Sequence, residues 1–391
     1  MQLFAADNHR ELVGAVLLGS AFAGILYSYA GYPLFLWFLS RLRPLRQSSP
    51  SEDFPLSFII AAHNEAAGIR RKLEQTLALE YPREKLQIIV ASDGSSDNTD
   101  DIVREFAGQG VELVQIGGRL GKTNAQNIAV RHARGEVLVF SDATTLYDPQ
   151  ALRYLAGAFC DRDVGAASGR YDYYDPTASS PAASGSATFW SIENWIKRMQ
   201  ARISTLSGCC GCIYAVRREL YTELAPELIS DLVQPLHILL QGRRVVFQEK
   251  ARAWEEATPT ANDEFNMRVR VATRGMKGLL STSDLLMPWK HPWIAFQLWS
   301  HKIARWCIPI FLLSLLAGAA LLASRERFQV LLLLQISFYG FAFASMLLPI
   351  LRRSRILSLP LYFCTINTAF LMGMFHVISR RQFTIWQPLR R

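Results

Sequence analysis

Four short polar interruptions carry the candidate chemistry of this 391-residue chain: His63-Asn64-Glu65, Asp93-Gly94, a Gly-rich segment ending in Lys122, and Asp142. Asp93 can accept hydrogen bonds from a base or a ribose, and Lys122 supplies positive charge on a loop that lets backbone approach a ligand. Asp142 is a hard oxygen ligand of the kind that Mg2+ or Mn2+ takes when it bridges a diphosphate. Together these groups suit a nucleoside diphosphate. Neither Gly-x-Gly-x-x-Gly nor P-loop spacing follows the first apolar strand, so a dinucleotide fold and a P-loop are both excluded. Any one of the four alone reads more readily as a helix cap or a solvated loop charge. Their common position, each after an apolar run, gives them meaning, because open α/β sheets bind ligands at the carboxyl ends of their strands.

The elements that must hold them alternate. Residues 56–62 (LSFIIAA) are apolar and 86–93 open with a continuous apolar run, the pattern of strands buried on both faces of a parallel sheet, and 111–116 and 136–141 read as a third and a fourth strand. Helical patterns over 66–79, about 100 onward, and 123–134 separate them. Such alternation predicts a doubly wound α/β sheet with its functional loops at one end.

Half of the residues are hydrophobic, and they concentrate in four uncharged runs, 12–40, 306–324, 328–351 and 356–378. About 20 apolar residues cross a bilayer, so each run is read as a transmembrane helix, one N-terminal and about three C-terminal. Buried core helices are the alternative, although these usually show a polar stripe. The first run is too long for the apolar region of a signal peptide. Arg41, Arg43 and Arg46 follow it and only Arg10 precedes it, which places the following domain in the cytoplasm. The formal charge of +9 gathers beside the apolar runs, as at Arg352, Arg353 and Arg355, and so points to anionic membrane lipids and not to nucleic acid. Residues 292–306 (PWIAFQLWSHKIARW) read as an amphipathic helix at the cytoplasmic interface, with Trp293, Phe296 and Ile303 on one face, or else as an ordinary core helix. Three further spans would carry the C-terminus outside, whereas Arg380, Arg381, Arg390 and Arg391 favour the inside. Residues 176–186 (PTASSPAASGS) read as a flexible surface loop. Six cysteines make no secreted-protein framework, and GCCGC at 208–212 lacks the Cys-x-x-Cys pairing of a zinc site. Those thiols are expected to pack as small residues.

At this point the chain resembles the membrane-bound family 2 glycosyltransferases of GT-A fold. The resemblance rests on YSYAGYP at 27–33, AAHNE at 61–65, VASDGSSDNT at 90–99, GKTNAQN at 121–127 and VFSDAT at 139–144, followed by WSIENW at 190–195, GCIYAVRRELY at 211–221, SDLVQPL at 230–236 and HKIARW at 301–306. It implies a cytoplasmic GT-A Rossmann-like domain over 41–291, between an N-terminal anchor at 1–40 and an interfacial helix at 292–305. Transmembrane helices over 306–378 and a basic tail at 379–391 complete this division. It implies inverting transfer from a nucleotide sugar, expected to be UDP-linked, to a lipid-linked or saccharide acceptor in envelope glycan or exopolysaccharide synthesis. Asn64, Glu65, Asp93, Lys122 and Arg270 would bind substrate, Asp142 would begin the Asp-x-Asp metal motif, and Asp231 would be the general base of a Thr-Glu-Asp-like motif.

The chain departs from that pattern. Thr144 replaces the second metal-motif carboxylate, Ser230 the acid before the base, and Met267 and Val271 the Gln and Trp that would surround Arg270 in a Gln-x-x-Arg-Trp motif. A carboxylate at Asp231 can take a proton from an attacking hydroxyl; Glu193 and Asp263 are other acidic candidates, and helix capping by Asp231 is the alternative to catalysis. Val271 argues for addition of one or a few sugars, since a processive polysaccharide synthase stacks its acceptor on an aromatic. Trp190, Trp195, Trp293 and Trp299 could supply one elsewhere, although packing or an interfacial belt is their commoner role. A non-catalytic nucleotide-sugar-binding subunit of an envelope assembly is the reading from another class.

Overall fold

The computed structural model describes residues 2–43, 53–174, 181–256, 261–352, 355–381 and 383, the side chains of 2–7, 174, 181–188, 256, 261–264, 349, 352 and 355–356 excepted. Its sheet begins as the sequence predicts. Strands β1 (Leu56–Ala62), β2 (Leu86–Asp93), β3 (Val111–Ile116) and β4 (Val137–Asp142) are parallel, in the spatial order β3-β2-β1-β4. All of β1 is buried. Its alternate residues Leu56, Phe58, Ile60 and Ala62 pack on one face with Leu73, Val103 and Leu155, whereas Ile59 faces Ala125, Phe140 and Leu236 on the other. Period-2 alternation into two cores is why these runs read as continuously apolar.

The second half of the sheet departs from a purely parallel arrangement. Short β5 (Leu146–Tyr147) and long β6 (Val164–Tyr174), β7 (Tyr214–Arg217) and β8 (Arg244–Glu256) extend the order as β4-β7-β6-β8-β5. Strand β7 runs antiparallel to both neighbours, β6 and β8 are parallel with two register shifts, and β5 closes the edge antiparallel to β8. The chain leaves β1 for β2 and β3 on one side and returns to β4 on the other. That reversal is a topological switch point, where a crevice opens outside the strand ends. The register Ala61↔Ala91 and Ala61↔Asp142 brings the three strand ends level there.

Among the described residues three helices are long and apolar enough to cross a membrane: Asn8–Arg41, Glu326–Leu347 and Leu357–Ile378. The expected third C-terminal span differs. Helix Ile308–Leu321 has only 14 residues, too few for a ~30 Å hydrocarbon layer, and reaches span length only when joined to Pro292–Trp306 across a 56° bend. Pro309 at its start and the close approach of Gly318 to the Leu18 backbone, 2.8 Å from a Cβ built on the glycine, fit it against the N-terminal helix. The segment expected to be interfacial is a helix broken by a π turn at Leu298–Ile303, with Ala295, Leu298 and His301 buried. Trp293 and Phe296 pack on Tyr32 and Leu36. The reading of 176–186 as a loop is corrected as well, since a helix runs from Pro181 to Ile203, while 176–180 lie outside the described residues. Four Ala and Ser-rich positions that composition makes loop-like are compatible with a helix once its distal part packs on the sheet. Arg390 and Arg391 also lie outside the described residues.

Gly135 shows how closely β1 and β4 approach at their amino-terminal ends, opposite the crevice. A Cβ there would stand 2.4 Å from the Ser57 amide nitrogen and 2.5 Å from the Leu56 carbonyl carbon, backbone atoms that cannot swing aside. Gly135→Ala is expected to cost about 1–3 kcal/mol by overpacking, read as a lower melting temperature of purified protein in detergent. An unchanged melting temperature would show that β1 and β4 can separate there.

Candidate active site

The site is assembled by turns laced to one another. Beyond β1, the Asn64 side-chain oxygen accepts the Ser96 amide (2.8 Å), the Glu65 amide donates to Thr99 Oγ1 (2.8 Å), and the Ala66 amide donates to Asp97 Oδ2 (3.1 Å). Asn64 takes φ 53°, a left-handed geometry that Asn tolerates. Beyond β2, both Asp93 oxygens are occupied: Oδ1 accepts the Leu120 amide at 2.7 Å and Oδ2 the Gly121 amide at 2.9 Å. Gly94, at φ 62°, lies where a Cβ would meet the Gly118 carbonyl at 2.7 Å. Asp93 therefore fixes the Gly-rich loop that presents Lys122.

Lys122 opens the helix Lys122–His132, and its ammonium pairs with Asp142 at the end of β4. Burial opposes that charge, but Asp142 outweighs it and the pKa rises. Around this pair lies a cavity of about 380 Å3, in the range of small-ligand sites. Of the residues expected from sequence, Glu65, Lys122, Asp142, Asp231 and Arg270 line it. Asn64 and Asp93 sit in the turns that shape it.

Asp231 lies in the first turn of helix Ser230–Leu240, whose N-cap is Ile229 with no side-chain cap. The capping alternative is thereby set aside. The GCCGC segment faces it closely: a Cβ on Gly211 would come within 2.9 Å of Asp231 Oδ2, and the Cys209 amide donates to the Asp231 carbonyl at 2.8 Å. Cys209, Cys210 and Cys212 all line the cavity. Arg274 locks the approach to this helix, bonding Thr123 Oγ1 (2.8 Å) and the carbonyls of Pro226 (3.1 Å), Glu227 (3.2 Å) and Leu228. Burial, then neighbouring Arg270, lowers its pKa to about 10. Arg270 itself makes no hydrogen bond or ion pair among the described residues, and burial followed by Arg119 lowers its pKa. It is a guanidinium facing the cavity without a partner among the described residues.

Two groups escaped the sequence reading. Glu255, at the end of β8, accepts Thr144 Oγ1 at 2.6 Å and the Tyr171 hydroxyl at 2.7 Å, so Thr144 holds a carboxylate where a second metal-motif acid was missing. Cys212 Sγ touches Asp142 Oδ2 at 3.6 Å and Glu255 Oε2 at 3.9 Å. The second group is Lys302, Arg305 and Trp306, which also line the cavity. Their Lys-x-x-Arg-Trp spacing repeats the motif sought around Arg270, with Lys in place of Gln, and this was the signal available in sequence. Glu193, weighed as a base, is bound to Arg305 and to His301 Nε2 at 3.2 Å. Burial raises its pKa, but His301 and Arg305 together hold it well below the ordinary value. The Asp263 side chain lies outside the described residues.

Among the described residues no group of three or more His, Cys, Asp or Glu side chains could hold a metal ion by itself. Asp142 nevertheless fits a divalent cation shared with a diphosphate. Its carboxylate faces the cavity in contact with a cation, Lys122, and Mg2+ commonly takes one or two carboxylates with phosphate oxygens completing its shell.

Behind Asp142 lies Lys72, 1% exposed. Its ammonium donates to Ser141 Oγ (2.8 Å) and the Thr145 carbonyl (2.5 Å) and lies over the Phe58 and Tyr147 rings. Burial pulls its pKa from 10.5 down to about 7. The unfolded chain then binds a proton that the folded chain lacks between these two values, so stability rises with pH across that window. Lys72→Met is expected to remove this rise, measured as melting temperature in detergent between pH 7 and 10.5. Curves of equal slope for both proteins would mean that Lys72 titrates normally.

Comparison with known proteins places this geometry. Residues 57–225 match the family model described as Glycosyl transferase family 2. A poly-beta-1,6-N-acetyl-D-glucosamine synthase of Staphylococcus epidermidis is 26% identical over 231 residues, 58% of this chain and 55% of that protein. The probable glycosyltransferase YdaM of Bacillus subtilis is 28% identical over 236 residues, 56% of this chain and 54% of that one. The chain thus spans about half the length of the curated relatives it matches. The mannosyltransferase PcManGT from Pyrobaculum calidifontis, solved with GDP-Man and Mn2+, superposes with a TM-score of 0.70 at 20% identity, covering 95% of this chain and 100% of that one. That likeness shows a shared GT-A fold.

Proposed function

We propose that the family 2 glycosyltransferase domain formed by residues 57–225, completed by the helices that follow it, transfers a sugar from a UDP-linked donor to a lipid-linked or saccharide acceptor with inversion. The observation that carries this reading is one cavity lined by Asp231, Lys122, Asp142 and Arg270, the last without a partner among the described residues. The apolar helices argue for a membrane enzyme whose cavity opens at the cytoplasmic face.

In this reading the acceptor hydroxyl attacks the anomeric carbon while its proton passes to Asp231. The bond to the nucleoside diphosphate breaks, and its electron pair leaves on the diphosphate. Lys122 and Arg270 stabilise the charge that grows there. Mg2+ or Mn2+ held by Asp142, with Glu255 beside it, would add Lewis-acid neutralisation of the leaving group. Glu65 faces the nucleotide, and Asn64 and Asp93 act by holding the loops that surround it. The synthase relatives, one of them named for a polymer, and Trp306 in the cavity favour a second reading, processive polymer synthesis. Trp306 supplies the aromatic that Val271 does not.

Asp231→Asn is expected to slow multiple-turnover UDP release about 10²- to 10⁴-fold, the usual share of a general base, while UDP binding persists. A variant turning over within twofold of the parent would falsify the assignment of the base. Absence of UDP release from the parent protein, with a panel of donors and acceptors, would favour a non-catalytic binding subunit.

The two product modes separate on size. Trp306→Ala is expected to shorten products made from radiolabelled donor if the ring holds a growing chain, and to leave their length unchanged if single sugars are added.

A further inference from the structure

We propose that the membrane-side end of this cavity binds the phosphodiester of a lipid acceptor, with Lys302 as its principal cation and Asp231 receiving the proton of a headgroup hydroxyl. The proposal rests on the glycosyltransferase reading above and names its acceptor class.

The charge at this end is out of balance. Lys302 lines the cavity and makes no hydrogen bond or ion pair among the described residues. Its electrostatic neighbours are Glu193, Arg305, Lys197 and Asp231. Lys197 lies over the Trp190 ring at 5.6 Å with only a long contact, 3.4 Å, to Ser168 Oγ. Arg268 and Arg305 crowd onto one ring, Phe189, at 4.7 and 4.8 Å from its centroid. The nearest carboxylate, Glu193, is already engaged by Arg305 and His301. Among the described residues Lys302, Lys197 and Arg305 share Glu193, and like charges brought together in a largely buried cavity repel one another unless an anion joins them.

The donor's diphosphate is not that anion. Its cations lie at the other end: Arg270 has Arg119 and Asp142 as electrostatic neighbours, and Lys122 pairs with Asp142. Asp231 lies within electrostatic reach of both Lys122 and Lys302. Inversion requires the nucleophile to approach opposite the leaving diphosphate, so an anion site beyond the base belongs to the acceptor. Lipid is indicated by Phe370, which lines the cavity from the apolar helix Leu357–Ile378. Arg268 also reaches that helix, donating to the Tyr362 hydroxyl at 3.0 Å. An acceptor with its phosphodiester on Lys302, its hydroxyl at Asp231 and its chains along this helix satisfies all three constraints. The bonds balance as in any hydroxyl transfer: the headgroup oxygen joins the anomeric carbon, the diphosphate departs with the electron pair, and Asp231 takes the proton.

The test is binding of three probes to the purified full chain in detergent, followed by native mass spectrometry: phosphatidylglycerol, an uncharged monoglucosyl diacylglycerol, and soluble glycerol phosphate. The parent protein is expected to prefer phosphatidylglycerol over the uncharged lipid by about tenfold, the worth of one charge-assisted contact. Lys302→Gln should abolish that preference, Lys302→Arg should retain it, and both should bind UDP as the parent does. A parallel loss of UDP affinity in Lys302→Gln would assign the cation to the donor and overturn the proposal, as would an unchanged lipid preference. Glycerol phosphate binding as tightly as the lipid would overturn the lipid assignment. Failure of the parent to bind UDP would count against the donor reading alone, because the lipid preference is measured without donor.

Discussion

The ion pair between Lys122 and Asp142 is the contact on which the rest of the architecture turns. It joins the end of β4 to the start of the helix after β3, two elements on opposite sides of β1. Both partners are largely buried, with side chains 18% and 19% exposed. A pair removed from water to this degree holds only where its geometry is fixed from behind. Asp93 fixes the lysine by gripping the loop amides, and buried Lys72 supports the strand end that carries the aspartate. The crevice at the switch point is thus a consequence of strand order, and its charge pattern a consequence of what braces the two loops.

Much of the first half was legible in the sequence for a physical reason. Parallel strands buried on both faces are largely apolar and stop in polar turns, so β1, β2 and β4 announced themselves, whereas edge strand β3 carries Glu112 and Gln115 and is marked by its place between two helical patterns. The second half hid because β5 to β8 are antiparallel or shifted in register, are set by tertiary pairing, and keep partly polar faces. Residues 181–186 look like loop by composition but sit in a helix, where packing overrides a weak propensity.

Site residues followed the same division. Those at strand ends could be named from sequence, as Glu65, Lys122 and Asp142 were. Glu255 could not, since only the sheet brings it to Thr144 from a strand more than a hundred residues away. The Arg-Trp pair was visible as HKIARW, yet the motif was sought around Arg270, a residue that reached the cavity for a different reason. It lies on a long helix that packs beside the Asp231 helix, and its guanidinium lines the cavity without a partner among the described residues.

The bend between Trp306 and Ile308 makes one wall of the catalytic pocket the continuation of an apolar helix. Trp306 presses its ring within 3.3 Å of a Cβ built on Gly275, so the tilt of the helix beyond the bend and the position of that ring are geometrically tied. The pocket is therefore shaped by the angle at one elbow of chain: a change in the tilt of the apolar helix moves the ring, and the ring's place sets the width of the pocket.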